Sequence, residues 1–114
     1  MRFDPFHPDV LHDILATSLY SLGRYEEAVA TWGRISKQPP WVHRNLTAAY
    51  AQLGRINDAR RAFAALEETI EQQRREGDPD ASVAQILSQA GHYFKNEDDR
   101  EHQIDGLRKA GLDV

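Results

Sequence analysis

Two histidines, His12 and His43, are the first side chains of this 114-residue chain whose type and spacing could bind a metal ion. They lie 31 residues apart, at equivalent places in two similar segments. Metal ligands must converge to within about 2 Å of the ion, whereas stacked helical units hold equivalent residues about 10 Å apart. The spacing therefore favours packing of both rings in the core or an interface, with a pH-responsive contact or a metal site as the alternatives.

An acidic cluster between His92 and His102 is the second candidate metal site. Its members are Glu97, Asp98, Asp99 and Glu101. The cluster lacks the glycine and the ligand order of a calcium-binding loop. Acidic side chains are favourable at the positive N-terminal end of a helix, so the cluster predicts a capped helix start. We therefore expect no metal site and no bound cofactor.

No motif in the chain predicts catalysis or nucleic-acid binding. There is no cysteine, no Gly-rich phosphate loop, no HExxH and no GxSxG, and the serines have no partner pattern. The net charge is −4, and glutamates lie among the basic pairs Arg60-Arg61 and Arg74-Arg75. We expect a protein that is not an enzyme and that does not bind nucleic acid.

The chain also lacks the patterns of membrane and secreted proteins. No apolar run approaches the roughly 20 residues that a spanning helix requires. The first ten residues, MRFDPFHPDV, contain no apolar core of a signal peptide. Together with the lack of cysteine, this predicts a cytoplasmic protein that makes no membrane contact.

A repeat of 31 residues organises the part of the chain that carries these side chains. Sliding one segment onto the other makes six pairs coincide: His12/His43, Leu15/Leu46, Leu22/Leu53, Gly23/Gly54, Arg24/Arg55 and Ala28/Ala59. Self-similarity of this length is typical of stacked units of two helices. A small residue is needed where paired helices cross at 8–10 Å, so Ala28 and Ala59 are predicted at the crossing points.

Hydrophobic periodicity predicts an all-α fold with about six helices in three antiparallel pairs. The expected helices cover about 9–22, 25–37, 40–53, 56–76, 80–92 and 96–110. We expect one domain, with a lead-in (1–8), a first unit (9–38), a second unit with a long second helix (40–76) and a divergent third pair or cap (79–114). In the first helix the predicted buried stripe is Val10, Leu11, Ile14, Leu15, Ser18, Leu19 and Leu22.

The repeated segment resembles the tetratricopeptide repeat family. The residues that carry the resemblance are Leu15, Leu19, Gly23, Tyr25, Ala28 and Trp32, then Pro40, then Leu46, Tyr50, Gly54, Ile56, Ala59 and Phe63. The chain departs from the family in its spacing of 31, against about 34, and in His12 and His43, where the family often has tryptophan. The resemblance implies a right-handed superhelical array that binds a protein or peptide partner in a concave groove.

In this family the groove is lined by the first helix of each pair. The resemblance therefore implies a protein-binding groove formed by Asp13, Thr17, Tyr20, Trp41, Arg44, Ala48 and Gln52. Asp13 and Arg44 are expected to hold a charged peptide, and Trp41 to anchor an apolar side chain. The alternative is ordinary solvated surface, with Trp41 packed between the repeats. Chaperone-tail grooves need a lysine and an asparagine where this chain has Asp13 and Thr17, so that ligand is excluded.

A narrower resemblance covers nearly the whole chain. Its pieces are FDPFHPD, LGRYEEAVATW, HRNLTAAYAQLGRINDARRAFAAL and YFKNEDDREHQIDGLRKAGL. In this order they are similar to the C-terminal tetratricopeptide region of bacterial adenylate/guanylate cyclases and to related stand-alone repeat proteins. The resemblance implies a scaffold or regulatory domain, excised from a larger protein and without cyclase activity. The alternative function is homodimerisation through apolar residues near the ends, which are Phe3, Phe6, Tyr93 and Phe94.

Overall fold

The computed structural model describes residues 8–35, 38–90 and 97–114, which form six α-helices and no strand. The helices are α1 (Pro8–Ser21), α2 (Tyr25–Trp32), α3 (Pro40–Gln52), α4 (Ile56–Arg75), α5 (Val83–Ser88) and α6 (Glu97–Lys109). The prediction of an all-α fold is confirmed. The four apolar residues at 3, 6, 93 and 94 lie outside the described residues. None of the described helices has the length and apolar character that a membrane span requires.

The first four helices form two hairpins that turn in the same way. Gly23 has a φ of 78° and Gly54 a φ of 76°, a left-handed conformation that favours glycine. In the first turn the Gly23 N–H donates to the Tyr20 carbonyl at 3.0 Å and the Arg24 N–H to the Leu19 carbonyl at 2.9 Å. The second turn repeats both bonds one unit later. This pair of bonds ends α1 and α3 and reverses the chain.

Small residues sit at the crossing points of both hairpins, as predicted. Ala28 is fully buried where α2 packs on α1, and Ala59 is 1% exposed where α4 packs on α3. Trp32 fills the space beside Ala28 and is 1% exposed. Contacts between α2 and α3 join the two hairpins, so one core runs through both.

Two helices are shorter than the sequence predicts. After α2 the chain tightens through bonds from the Arg34 N–H to the Thr31 carbonyl and from the Ile35 N–H to the Trp32 carbonyl, both 3.1 Å. This turn buries Ile35 in the core. α2 therefore ends at Trp32, before residue 37, where the sequence predicts its end. The helix expected from residue 80 begins at Val83, because the Ser82 hydroxyl caps it by accepting the Gln85 N–H at 3.0 Å.

The predicted buried stripe of α1 is wrong for five of its residues, since Ser18 and four large hydrophobic residues are exposed. Leu19 is buried, but four large hydrophobic side chains are 49–72% exposed, namely Leu11, Ile14, Leu15 and Leu22. α1 packs against α2 and α6 along one side only. Among the described residues, nothing lies against its other side, so half of the apolar pattern faces outward.

The last helix does not pair mainly with the helix before it. α6 packs chiefly against α3 and also touches α1, whereas α5 lies against α3 and α4. The chain after α4 therefore folds back across the first helices of both hairpins. This arrangement places α6 on the side where the groove was predicted.

Candidate partner groove

The surface between α1 and α3, called here the α1–α3 groove, is filled by α6. Three of the predicted groove residues contact this helix: Tyr20 from α1, and Ala48 and Gln52 from α3. Tyr20 is 2% exposed and Ala48 is fully buried. A segment of the same chain thus occupies the surface between α1 and α3.

The closest approach of α6 to α3 is at Gly106. A Cβ added at Gly106 would lie 2.9 Å from the Ala48 Cβ, 2.9 Å from the Ala48 carbonyl oxygen, and against the Tyr20 hydroxyl. No real Cβ contact to a backbone atom is that short, so only glycine fits at this position. Ala48 is the matching small residue on α3. The two helices therefore meet through a crossing that no larger side chain can enter.

Hydrogen bonds to the α6 backbone hold the helix beside this crossing. The Tyr20 hydroxyl donates to the His102 carbonyl at 2.8 Å, and Gln52 Nε2 donates to the same oxygen at 3.3 Å. Lys109 Nζ in turn donates to Gln52 Oε1 at 2.8 Å. Burial raises the pKa of the Tyr20 hydroxyl, which keeps it protonated and able to donate. Tyr20 and Gln52 thus bind α6 at two positions, His102 and Lys109.

A buried polar pair and one leucine complete the contact. Gln103 Nε2 donates to Asn45 Oδ1, and both side chains are 5% exposed. Leu107, next to Gly106, is fully buried in the core. Sequence reasoning missed Asn45, Gln103 and Gly106 as groove residues. The one signal for this contact in the sequence is a glycine inside an amphipathic helix, since such a glycine often allows close packing.

Two of the remaining predicted groove residues belong to internal networks. Asp13 Oδ1 accepts a hydrogen bond from Trp32 Nε1 at 3.1 Å, which ties α1 to α2. Burial raises the pKa of the Asp13 carboxyl, while the hydrogen bonds from Trp32 and Thr17 and the charge of Arg44 lower it. Arg44 is 1% exposed and its Nη1 donates to the Ile86 carbonyl at 3.0 Å. In this state Arg44 holds α5.

Trp41 and the repeated histidines are all half-buried. Trp41 packs against the core cluster. His12 has a buried Nδ1 without a hydrogen-bond partner, and burial lowers the pKa of His43. Among the described residues, no three His, Asp or Glu side chains are arranged to hold a metal ion.

Replacing Arg44 by alanine tests whether its side chain stabilises the fold through contacts within the domain. Arg44→Ala should lower the free energy of unfolding by about 1–3 kcal/mol, because it removes the hydrogen bonds that Arg44 donates to the Ile86 carbonyl and to Asn45 Oδ1. Urea unfolding followed by circular dichroism measures the loss. Arg60→Ala, on the exposed face of α4, is the control and should change little. An Arg44→Ala chain as stable as the control would contradict an internal role.

Comparison with known proteins supports the repeat assignment. Residues 10–34 and 40–65 match a family model described as Tetratricopeptide repeat. No curated protein and no solved structure matches the chain significantly. The two matched segments begin in α1 and α3 and end after α2 and within α4, so each match is one hairpin of the structure. Each matched segment is therefore similar to one tetratricopeptide repeat, the first formed by α1 with α2 and the second by α3 with α4.

Proposed function

We propose that this domain is a protein-interaction module whose α1–α3 groove binds a helical segment of a partner protein. Tetratricopeptide repeats are generally protein–protein interaction modules and are typically non-catalytic. The observation that carries the proposal is the seating of α6 in the groove, with Gly106 against Ala48. A surface that accepts one helix at this distance has the shape and the hydrogen-bond donors to accept another.

The contacts of α6 define the chemistry of such a partner. The partner helix needs a glycine at the crossing, a leucine directly after it and a side-chain amide three residues before it, as in Gln103, Gly106 and Leu107. Tyr20 and Gln52 would bind its backbone, so they contribute affinity without reading its sequence. Because α6 already satisfies these groups, a partner would have to displace it.

A peptide supplied in trans tests this function. A labelled peptide of residues 97–114 is titrated into the full chain and into a Gly106→Val chain, with fluorescence anisotropy as the readout. We expect binding at least about tenfold tighter, or about 1.4 kcal/mol, to the variant, because its own α6 no longer fills the groove. Circular dichroism would first establish that the variant keeps its helices.

Two comparisons make the result specific. A peptide that itself carries Gly106→Val should bind neither chain, since it cannot approach Ala48. A Gln52→Ala replacement in the Gly106→Val chain should weaken binding of the native peptide, since two of the groove's polar contacts are lost. Equal and weak binding of the native peptide to both chains would overturn the proposal.

The remaining predictions from the sequence concern the larger protein, its location in the cell and the other residues that would contact a partner. The resemblance to C-terminal regions of bacterial nucleotide cyclases, and the cytoplasmic location, stay predictions, because the family match covers the two repeats alone. Asp13, Thr17, Trp41 and Arg44 stay predicted contacts of a bound partner. Self-association through Phe3, Phe6, Tyr93 and Phe94, the alternative function, also stays a prediction, because these four residues lie outside the described residues.

A further inference from the structure

The outer side of α1 and the residue directly after it carry an apolar stripe, called here the α1 stripe, which consists of Leu11, Ile14 and Leu15 of α1 and of Leu22. Their exposed fractions are 53%, 58%, 49% and 72%. Among the described residues, all the large hydrophobic side chains that are exposed belong to this stripe. The exposure is therefore concentrated on one element instead of being scattered over the surface.

The α1 stripe has the form of a helix–helix contact. Its residues follow one another at intervals of three, one and seven positions, which places them along one side of a helix. Ser18 lies between them, and the stripe contains no charged residue. Together the four side chains expose on the order of 400 Å², which is within the range of the largest apolar patch on a monomer, and such a patch is often functional.

Among the described residues, the other end of the molecule exposes no row of large hydrophobic side chains that could receive the stripe. There, Leu66 and Ile70 of α4 are 0% and 1% exposed, because Ala81 and the residues of α5 pack over them. The outer face of α4 carries exposed charged residues such as Arg60 and Glu67. Head-to-tail stacking of copies, which would join two different surfaces, therefore finds no second stripe of this kind in the part of the chain that the structure describes.

We infer that the α1 stripe binds the same stripe of a second copy, in a two-fold symmetric dimer. A two-fold contact uses the same patch on both copies, so it needs no second apolar face. In an antiparallel pair, Leu11 of one copy lies near Leu22 of the other, and Ile14 and Leu15 fill the middle. The antiparallel arrangement also places the positive end of one helix dipole near the negative end of the other.

The size of the stripe sets the strength of this dimer. Two stripes bury on the order of 800 Å² of apolar surface, less than the roughly 1,600 Å² of a standard stable interface. The dimer is therefore expected to dissociate on dilution. It leaves the α1–α3 groove untouched, because α6 lies against the opposite side of α1. Dimer formation and partner binding are then independent.

Analytical ultracentrifugation of the full chain over a wide concentration range tests the inference. The wild-type chain should change from monomer to dimer with rising concentration. Leu11→Glu with Leu15→Glu should raise the dissociation constant at least about tenfold, because like charges then meet across the two-fold axis. Ala64→Glu, on the exposed face of α4, is the matched control and should leave the dimer unchanged.

A cysteine crosslink locates the contact directly. The chain has no cysteine of its own, so one introduced thiol reports on one position. Ser18→Cys should form a disulfide-linked dimer on mild oxidation, whereas Ser88→Cys on the exposed face of α5 should not. A wild-type chain that stays monomeric at every concentration, or a dimer that survives the two glutamates, would overturn the inference. A chain that dimerises only after residues 1–7 are removed would also overturn the inference. In that case the chain's own N-terminal segment would be the occupant of the stripe.

Discussion

Replacing Trp32 by alanine should lower the free energy of unfolding by about 3–5 kcal/mol, the largest loss that we expect from a single substitution. Trp32 is the largest of the fully buried side chains and is 1% exposed. Its ring lies 6.3 Å from the ring of Tyr20, between the two helices of the first repeat. Alanine leaves a cavity there and also removes the hydrogen bond to Asp13. The half-buried Asp13 carboxyl then loses a donor that offsets its desolvation.

Urea unfolding followed by far-ultraviolet circular dichroism measures this loss. Trp41→Ala is the matched control, because it removes the same side chain from a half-buried position. We expect the control to lose clearly less stability than Trp32→Ala. Equal losses in the two variants would mean that Trp32 is not the centre of the first repeat. Folded domains of this size are stable by about 5–15 kcal/mol, so the Trp32 variant lies close to the unfolding threshold.

The two repeats could be predicted because their signals are local and occur twice. Gly23 and Gly54 end the first helix of each pair with the same turn, and a glycine with positive φ is nearly required there. Ala28 and Ala59 mark the crossings through their size alone. Such signals depend on neighbours within one hairpin, so a single sequence contains them.

The α1 stripe could not be separated from the core by periodicity. Leu11 and Leu19 belong to the same apolar pattern, yet Leu11 is 53% exposed and Leu19 is 8% exposed. A period identifies which residues are apolar, but it does not indicate how many sides of a helix have a neighbour. In α1 the apolar pattern is wider than the contact with α2 and α6.

The occupant of the groove could not be predicted for a related reason. Asn45 and Thr47 are polar and suggest a solvated side of α3, but they are 5% and 1% exposed because α3 has neighbours on nearly all sides. The bond between Asn45 and Gln103 joins residues 58 positions apart, and no spacing rule connects them. Long-range polar pairing of this kind is visible only in three dimensions.

Replacing Gly106 should release α6 from the groove while the two repeats stay folded. Gly106→Ala gains helix propensity worth about 1 kcal/mol. Against this, the new Cβ would lie 2.9 Å from the Ala48 Cβ and from the Ala48 carbonyl oxygen, so one of the two helices would have to shift. Overpacking of this kind costs about 1–3 kcal/mol, so the clash outweighs the gain, and Gly106→Val should release the helix more completely.

Amide hydrogen exchange distinguishes this local release from global unfolding. In the Gly106→Val chain, the amides of α6 should lose most of their protection, whereas those of α2 and α4 should keep theirs. Gly33→Ala is the control, because a Cβ there meets nothing closer than 3.4 Å and the residue has an ordinary helical φ of −63°. Protected α6 amides in the valine variant would mean that α3 and α6 do not depend on the glycine crossing. Loss of protection in all helices would instead mean that α6 is an integral part of the core, because Leu107 and Gln103 are then needed to hold the repeats together.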